Sequence, residues 1–181
     1  MMWWLIGILI AVVLIFIYYF NKFVVLSIRI DNSLAQIDVQ LKKRADLVPN
    51  LVNIVKGYVK HEKDMITKVT DARKALLAAK DITSKVKAGD KLQSSLKTIF
   101  ALAENYPNLK ANENFLQLQN ELAAIEDRVA YSRQYYNDNI QSYNNATQTF
   151  PGAMFAKLYG KSKKEFLKIT AKEAALPKVE F

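Results

Sequence analysis

The side chains that most often carry enzyme chemistry are few in this 181-residue sequence, and their spacing is poor. His61 and Glu62 begin a pattern like H-E-x-x-H, in which two histidines one helical turn apart bind zinc and the glutamate acts as the base. The second histidine would stand at position 65, which is Met65, and His61 is the single histidine of the sequence. We therefore interpret His61 as a solvated or helix-capping side chain rather than a metal ligand.

Other reactive groups are equally poorly placed. The sequence has no cysteine, which excludes thiol nucleophiles, zinc–thiolate sites and disulfides, and its five glycines form no phosphate-binding loop. Glu121, Glu126 and Asp127 have no histidine at metal-ligand spacing, and no serine or threonine has a convincingly spaced base. We expect a protein that is not an enzyme and that uses neither a metal nor another cofactor.

The first twenty residues, Met1 to Phe20, are apolar and carry no charge. As a helix this segment would be about 30 Å long, the thickness of the hydrocarbon core of a bilayer. A cleaved signal peptide would need a basic start and a small-residue cleavage site, and a buried core helix is seldom this long without a charge. We therefore predict a transmembrane anchor. The predicted membrane-interface residues, mostly aromatic, are Trp3, Trp4, Tyr18, Tyr19 and Lys22.

Basic residues follow this segment and none precedes it. Lys22 and Arg29 come first, and Lys42, Lys43 and Arg44 come next. The positive-inside rule then predicts a very short N-terminus outside and a cytoplasmic remainder.

Beyond the anchor, apolar residues recur every three or four positions, which indicates helices with one apolar face. The first such series runs from Ile30 to Val69, with no glycine or proline between Lys22 and Arg44, so the membrane helix is expected to continue directly into it. Pro49 removes an N–H inside the series, and we expect a kink there, with Asp46 able to cap a restarted helix.

Two further helices and a tail follow. We expect a loop ending at Gly89, with Asp90 as the cap of a second helix that ends before Pro107. A third helix is predicted from Asn112 to Phe150, and an amphipathic helix in the tail near residues 164–175. The predicted fold is all-α: a transmembrane helix continuing into an antiparallel bundle of three to four long helices. The predicted domains are residues 1–21 (anchor), 22–150 (bundle) and 151–181 (basic tail).

The net charge of +9 is unevenly distributed, because residues 112–150 hold 2 basic and 5 acidic side chains and the rest of the chain is basic. One interpretation is charge pairing within the bundle. Another is attraction to anionic lipid headgroups, chiefly by Lys22 and Arg29, and by the tail if it folds back. Nucleic-acid binding is disfavoured, since no helix-turn-helix spacing or aromatic RNA-binding motif is present.

Tyrosine, asparagine and glutamine are concentrated between Tyr131 and Thr149, on the strongest helical pattern of the chain. This segment is either a wide contact face with internal polar networks or a surface for a partner or a second copy. Both interpretations stay open at this point.

Several long stretches resemble the LemA family of bacterial membrane proteins. They are QLKKRADLVPNLVNIVKGYVKHE from Gln40, ARKAL from Ala72, YPNLKANENFLQLQNELAAIEDRVAYSRQYYNDNIQSYN from Tyr106, FPGAMFA from Phe150 and the final LPKVEF. The resemblance implies one N-terminal membrane helix in the bacterial inner membrane, a long-helix cytoplasmic domain and no established enzymatic activity. Some relatives are associated with organising intracellular membrane compartments.

The favoured hypothesis is a membrane-anchored scaffold that binds the lipid bilayer and further copies of itself. The alternative is a membrane-tethered adaptor that recruits an unknown soluble protein. The candidate contact residues, drawn partly from the resemblance, are Arg44, Asp46, Pro49, Asn50, Tyr136, Asn137, Asp138, Tyr143 and Asn144.

Overall fold

The computed structural model describes residues 3–59 and 62–167, and within these ranges it contains helices and no strand. The all-α prediction is confirmed. The helices are α1 (Trp3–Tyr58), α2 (Lys63–Ala78), α3 (Ile82–Ala103), α4 (Pro107–Lys110), α5 (Glu113–Gln148) and α6 (Gly152–Leu158).

Helix α1 is continuous from the apolar segment into the charged part of the chain, as predicted. Pro49 lies inside this helix, so the helix does not restart at Asp46, and Asp46 is not an N-cap. The helix ends at Tyr58, one residue after Gly57. Val69, which we placed in the same apolar series, belongs to α2.

A break between helices lies in the expected loop, at residues 79–81, but the predicted loop end at Gly89 and the cap at Asp90 are wrong. Helix α3 begins at Ile82, where the carboxylate of Asp81 accepts a hydrogen bond from the Ser84 N–H at 2.9 Å, and it passes through both residues without a break. Gly89 is buried because α3 approaches α1 closely there: a Cβ at this position would lie 2.7 Å from Cδ2 of Leu41. The glycine therefore marks a helix–helix contact and not a helix end.

The third long helix agrees with the prediction to within two residues at its ends. Asn112 caps α5, since its Oδ1 accepts a hydrogen bond from the N–H of Phe115 at 3.0 Å. The helix predicted near residues 164–175 is not confirmed, because Lys164 to Leu167 are extended or irregular; residues 168–175 lie outside the described residues.

The chain forms two compact units. One is Leu34–Arg133, whose apolar core is made by α2, α3, α4 and the neighbouring parts of α1 and α5. Its most deeply buried apolar side chains include Ile37, Leu41, Val48, Leu51, Val55, Leu92, Leu96, Ile99, Leu109, Phe115 and Leu122.

The other unit pairs Met1–Ser33 with Gln134–Phe181. In its described part, the end of the apolar segment packs with α6, and the helical turns that follow the segment pack with the second half of α5. Its buried side chains include Phe23, Leu26, Ile30, Tyr136, Ile140, Tyr143 and Phe155. The predicted division into residues 1–21, 22–150 and 151–181 stays a prediction.

Candidate membrane anchor and interaction surfaces

The start of α1 is long and apolar enough to cross a membrane. An 18-residue window of this helix has a mean hydropathy of 2.5, and none of the window is buried in the protein. A helix that is apolar on all sides and uncovered by protein matches a lipid environment. The exposed side chains include Trp3, Trp4 and Tyr18.

Aromatic rings and one lysine gather where this segment ends. The ammonium of Lys22 lies 5.8 Å from the ring centre of Tyr18 and 5.6 Å from that of Tyr19. These distances allow cation–π attraction. The geometry brings together three of the five residues predicted to lie at the membrane interface.

Helix α6 packs against the same end of α1. The Phe155 ring stacks on Tyr19 at 4.5 Å and meets Phe16 edge to face at 5.1 Å. The hydroxyl of Tyr159 donates a hydrogen bond to the carbonyl of Phe16 at 2.9 Å. The sequence gave no indication of the element on which this helix packs.

Two asparagines of α5 bind the backbone of the segment that follows α6. Asn144 donates through Nδ2 to the carbonyl of Lys164 at 2.9 Å and accepts from the Lys164 N–H at 2.8 Å. Asn137 pairs in the same way with Leu167, at 3.1 and 2.9 Å. We call these two residues and their four hydrogen bonds the asparagine clamp.

The asparagine clamp joins a helix to an extended segment, and the distance between its two residues is nearly the same along both backbones. Seven residues separate Asn137 from Asn144, which is about 10.5 Å along a helix. Three residues separate Lys164 from Leu167, which is about 10 Å in an extended chain. Each amide side chain therefore meets one peptide unit, and the Lys164 ammonium also lies 5.4 Å from the Tyr143 ring centre.

The candidate contact residues on α5 differ in how deeply they are buried. Tyr136, Tyr143 and Asn144 are buried, Asn137 is half-buried, and Asp138 is exposed. Burial raises the pKa of Tyr143, and burial together with the Asp31 carboxylate raises the pKa of Tyr136. The polar–aromatic segment thus forms internal contacts in this unit. Its role in binding a partner stays a prediction.

The candidate contact residues near Pro49 also differ in burial. Asp46, Pro49 and Asn50 are exposed, whereas Arg44 is only 2% exposed. Burial lowers the pKa of Arg44, the Glu126 carboxylate opposes this shift, and among the described residues its Nε has no hydrogen-bond partner. Arg44 is therefore a buried charge inside its unit.

An ionic network surrounds Arg44 that the sequence did not reveal. Arg133 contacts Asp90 at 2.6 Å, and their side chains are 13% and 30% exposed. Glu126 accepts a hydrogen bond from the Gln93 amide and pairs with Lys97 at 3.1 Å. The one signal for it was the seven-residue spacing of Glu126 and Arg133, which places both on the same face of α5. Within residues 3–59 and 62–167, no three carboxylates or imidazoles are grouped so as to hold a metal ion.

Comparison with known proteins agrees with the features above. Residues 33–181 match the sequence model of the LemA family. Protein LemA of Metamycoplasma hominis is 28% identical over 122 residues, which cover 67% of this chain and 56% of that protein. Magnetosome protein MamQ of Magnetospirillum gryphiswaldense is 22% identical over 184 aligned positions, covering 87% of this chain and 68% of that protein. The chain thus spans little more than half the length of the first relative.

Proposed function

This chain belongs to the LemA family, and from that premise we propose that it is a membrane-anchored scaffold that self-associates at the bacterial inner membrane. The proposal assigns it no catalytic step and no cofactor. Its partners are the lipid bilayer and further copies of the same chain.

The observation that carries this proposal is the absence of a linker after the apolar segment of α1. Phe23, Leu26 and Ile30 are already buried, and α1 runs through them without a break. A membrane-tethered adaptor benefits from a flexible linker, because the linker lets it reach soluble partners farther from the membrane. A scaffold needs its contact surfaces held in a fixed relation to the bilayer, and a continuous helix provides this within the unit that contains the anchor.

One of the two named relatives supports a role in an intracellular compartment, because it is a magnetosome protein and its alignment covers most of this chain. Organisation of an intracellular compartment is the activity that we propose by this similarity.

Self-association has a direct test. The full chain in its native membrane is cross-linked, then solubilised and weighed by mass photometry. Dimers or larger species support the proposal, and a strict monomer at every concentration contradicts it. Asp46→Arg, at an exposed candidate position, is expected to reduce the assembled fraction. Asp71→Arg, the same charge change at an exposed site on α2, is the matched control.

Orientation has a separate test. We propose a cytoplasmic location for everything after Lys22, based on the basic residues there. Cytosolic fluorescence from a reporter fused after Phe181 supports this orientation. Alkaline-phosphatase activity at the same position, without fluorescence, contradicts it.

A groove in the Leu34–Arg133 unit favours adaptor function as the second candidate. It lies between α1 and α5 and combines apolar and amide side chains, among them Leu47, Asn50, Ile54, Asn114 and Gln117. Such a mixture suits a peptide segment of another protein. A soluble protein that copurifies in stoichiometric amounts with the full chain, and is lost with Asn50→Arg, would favour the adaptor.

A further inference from the structure

We propose that α6 and the residue pair before it form a second membrane contact, with the exposed apolar side chains of Phe150, Met154 and Leu158 inserted at the boundary of headgroups and acyl chains. This inference rests on the proposed membrane anchoring of α1 and adds a lipid-binding element to it. The occupant of the surface is lipid.

The position of α6 along α1 is the first argument. Phe155 of α6 and Tyr159, which directly follows α6, contact Phe16 and Tyr19, which belong to the predicted span. Phe16 precedes Lys22, the first charged side chain, by about 9 Å of helix. If α1 crosses the bilayer, α6 lies beside a part of α1 that is still apolar, and the bilayer surface must reach it.

The exposed face of α6 is the second argument. Phe150, Met154 and Leu158 are 83%, 63% and 62% exposed and stand four residues apart, so Met154 and Leu158 share one face of the helix. The opposite face, with Phe155 and Ala156, is buried. Helix α6 thus has apolar side chains on both faces, and only one face is covered by protein. Because the exposed face lies beside the predicted span, lipid is the apolar environment that would cover it.

Basic residues next to this face are the third argument. Lys157 and Lys163 are exposed, and Lys161 and Lys164 are half-buried. An apolar face followed by lysines is the pattern of an interfacial element on an anionic membrane, where basic side chains near the surface are attracted to the lipid headgroups. The clamp of Asn144 keeps Lys164 on α5, so this basic segment stays in the unit that contains the anchor.

The attachment of α6 leaves little freedom for it to lie elsewhere. A Cβ at Gly152 would clash with the carbonyl oxygen of Ala146 and would lie 3.5 Å from the Tyr19 ring. The glycine lets the turn after α5 close tightly against α1. Because α6 is held on this end of α1, insertion of α1 would bring α6 to the bilayer with it.

The experiment uses the full chain in vesicles of phosphatidylcholine and phosphatidylglycerol. The sequence has no cysteine, so a single cysteine at Met154, Leu158 or Asp138 can carry an environment-sensitive fluorophore without other changes. Lipids with a spin-label quencher near the headgroup or at the end of the acyl chain report the depth of each probe. Ile10→Cys, inside the span, is the reference for insertion.

We expect the probes at Met154 and Leu158 to shift to shorter wavelengths and to lose more than half of their emission to the shallow quencher. The probe at Ile10 is expected to respond to the deep quencher, and the probe at the exposed Asp138 to neither. If Ile10 responds while Met154 and Leu158 stay in water, the anchor stands and the α6 proposal is overturned. If Ile10 itself stays in water, α1 does not span, and the proposed function fails together with this inference. Quenching of Met154 only by a spin-labelled second copy would identify that copy as the occupant, and would also overturn the proposal.

Discussion

Arg73 of α2 donates a hydrogen bond through Nε to the backbone carbonyl of Ala45 at 2.7 Å. Ala45 stands four residues before Pro49, so its carbonyl is the one that the missing proline N–H would have bonded. The guanidinium of another helix thus satisfies the acceptor that the proline leaves without its helical partner. This relationship explains how α1 continues through Pro49.

A double-mutant cycle on Arg73 and Pro49 tests this explanation. In the natural background, Arg73→Met is expected to lower the free energy of unfolding by about 2 kcal/mol, because a buried carbonyl loses its charged donor. In the Pro49→Ala background the cost should be much smaller, since the substituted alanine supplies a backbone N–H that can bond the Ala45 carbonyl. The measurement is denaturant unfolding of the four proteins in detergent.

Arg128→Met, at an exposed position of α5, is the matched control and should change stability by less than about 0.5 kcal/mol. Equal costs of Arg73→Met in both backgrounds would contradict the explanation, because the two residues would then act independently.

The continuity of α1 shows what sequence patterns can and cannot predict. The apolar series continued in phase across Pro49, and that correctly indicated one helix on both sides of it. A donor 28 residues away carries no local signal, so a kink was expected near Pro49, with Asp46 able to cap a restarted helix. Gly89 and Asp90 misled for a similar reason: glycine followed by aspartate has the composition of a helix end, and only the packing against Leu41 shows otherwise.

The asparagine clamp predicts an unequal effect of two adjacent substitutions. Asn144→Ala removes both hydrogen bonds to Lys164, whereas Asn145→Ala changes an exposed side chain on the same helix. Two hydrogen bonds contribute about 2 kcal/mol, so opening of the segment around Lys164 should rise roughly 30-fold in the first variant. Hydrogen exchange of the Lys164 amide in the full chain measures this. Similar exchange rates in the two variants would show that the clamp does not hold the segment.

The ionic network around Arg44 predicts that two aspartate substitutions will reduce stability by different amounts. Asp90→Ala removes the 2.6 Å carboxylate contact of Arg133 near the buried Arg44, and we expect a loss of about 2–3 kcal/mol, because both guanidinium groups lose a nearby opposite charge. Asp71→Ala removes an exposed pair with Lys74 and should cost less than about 0.5 kcal/mol. Thermal unfolding at two salt concentrations compares them, and only the Asp71 effect should shrink at high salt. A small, salt-sensitive loss for Asp90→Ala would contradict the network.

The candidate contact residues show the same division between local and long-range information. Helical spacing placed Tyr136, Tyr143 and Asn144 correctly on one strong pattern of α5. Spacing alone could not distinguish a face that binds another molecule from one that binds the chain's own tail. The extended segment at Lys164 supplies backbone N–H and carbonyl groups, and it lies 20 residues further along the chain, beyond the reach of a periodicity argument. Arg44 was similar, since a charged residue in an apolar series is expected at the surface unless opposite charges from other helices surround it.

Alkaline pH is expected to destabilise the unit that contains Tyr136. Burial raises the pKa of this phenol above its ordinary value of 10.0, and the Asp31 carboxylate raises it further. Between pH 10.0 and the raised pKa, the folded chain holds a proton that the unfolded chain has released. The stabilisation is therefore complete below the unfolded pKa and is lost as the pH rises through the folded pKa. Tyr136→Phe should reduce the fall in the free energy of unfolding at alkaline pH. Tyr131→Phe, at an exposed position, should leave that fall unchanged. The two variants share every titratable side chain apart from these two tyrosines, so the difference between their unfolding curves across the alkaline range isolates Tyr136. Parallel curves for the two variants would show that the phenol does not link folding to pH.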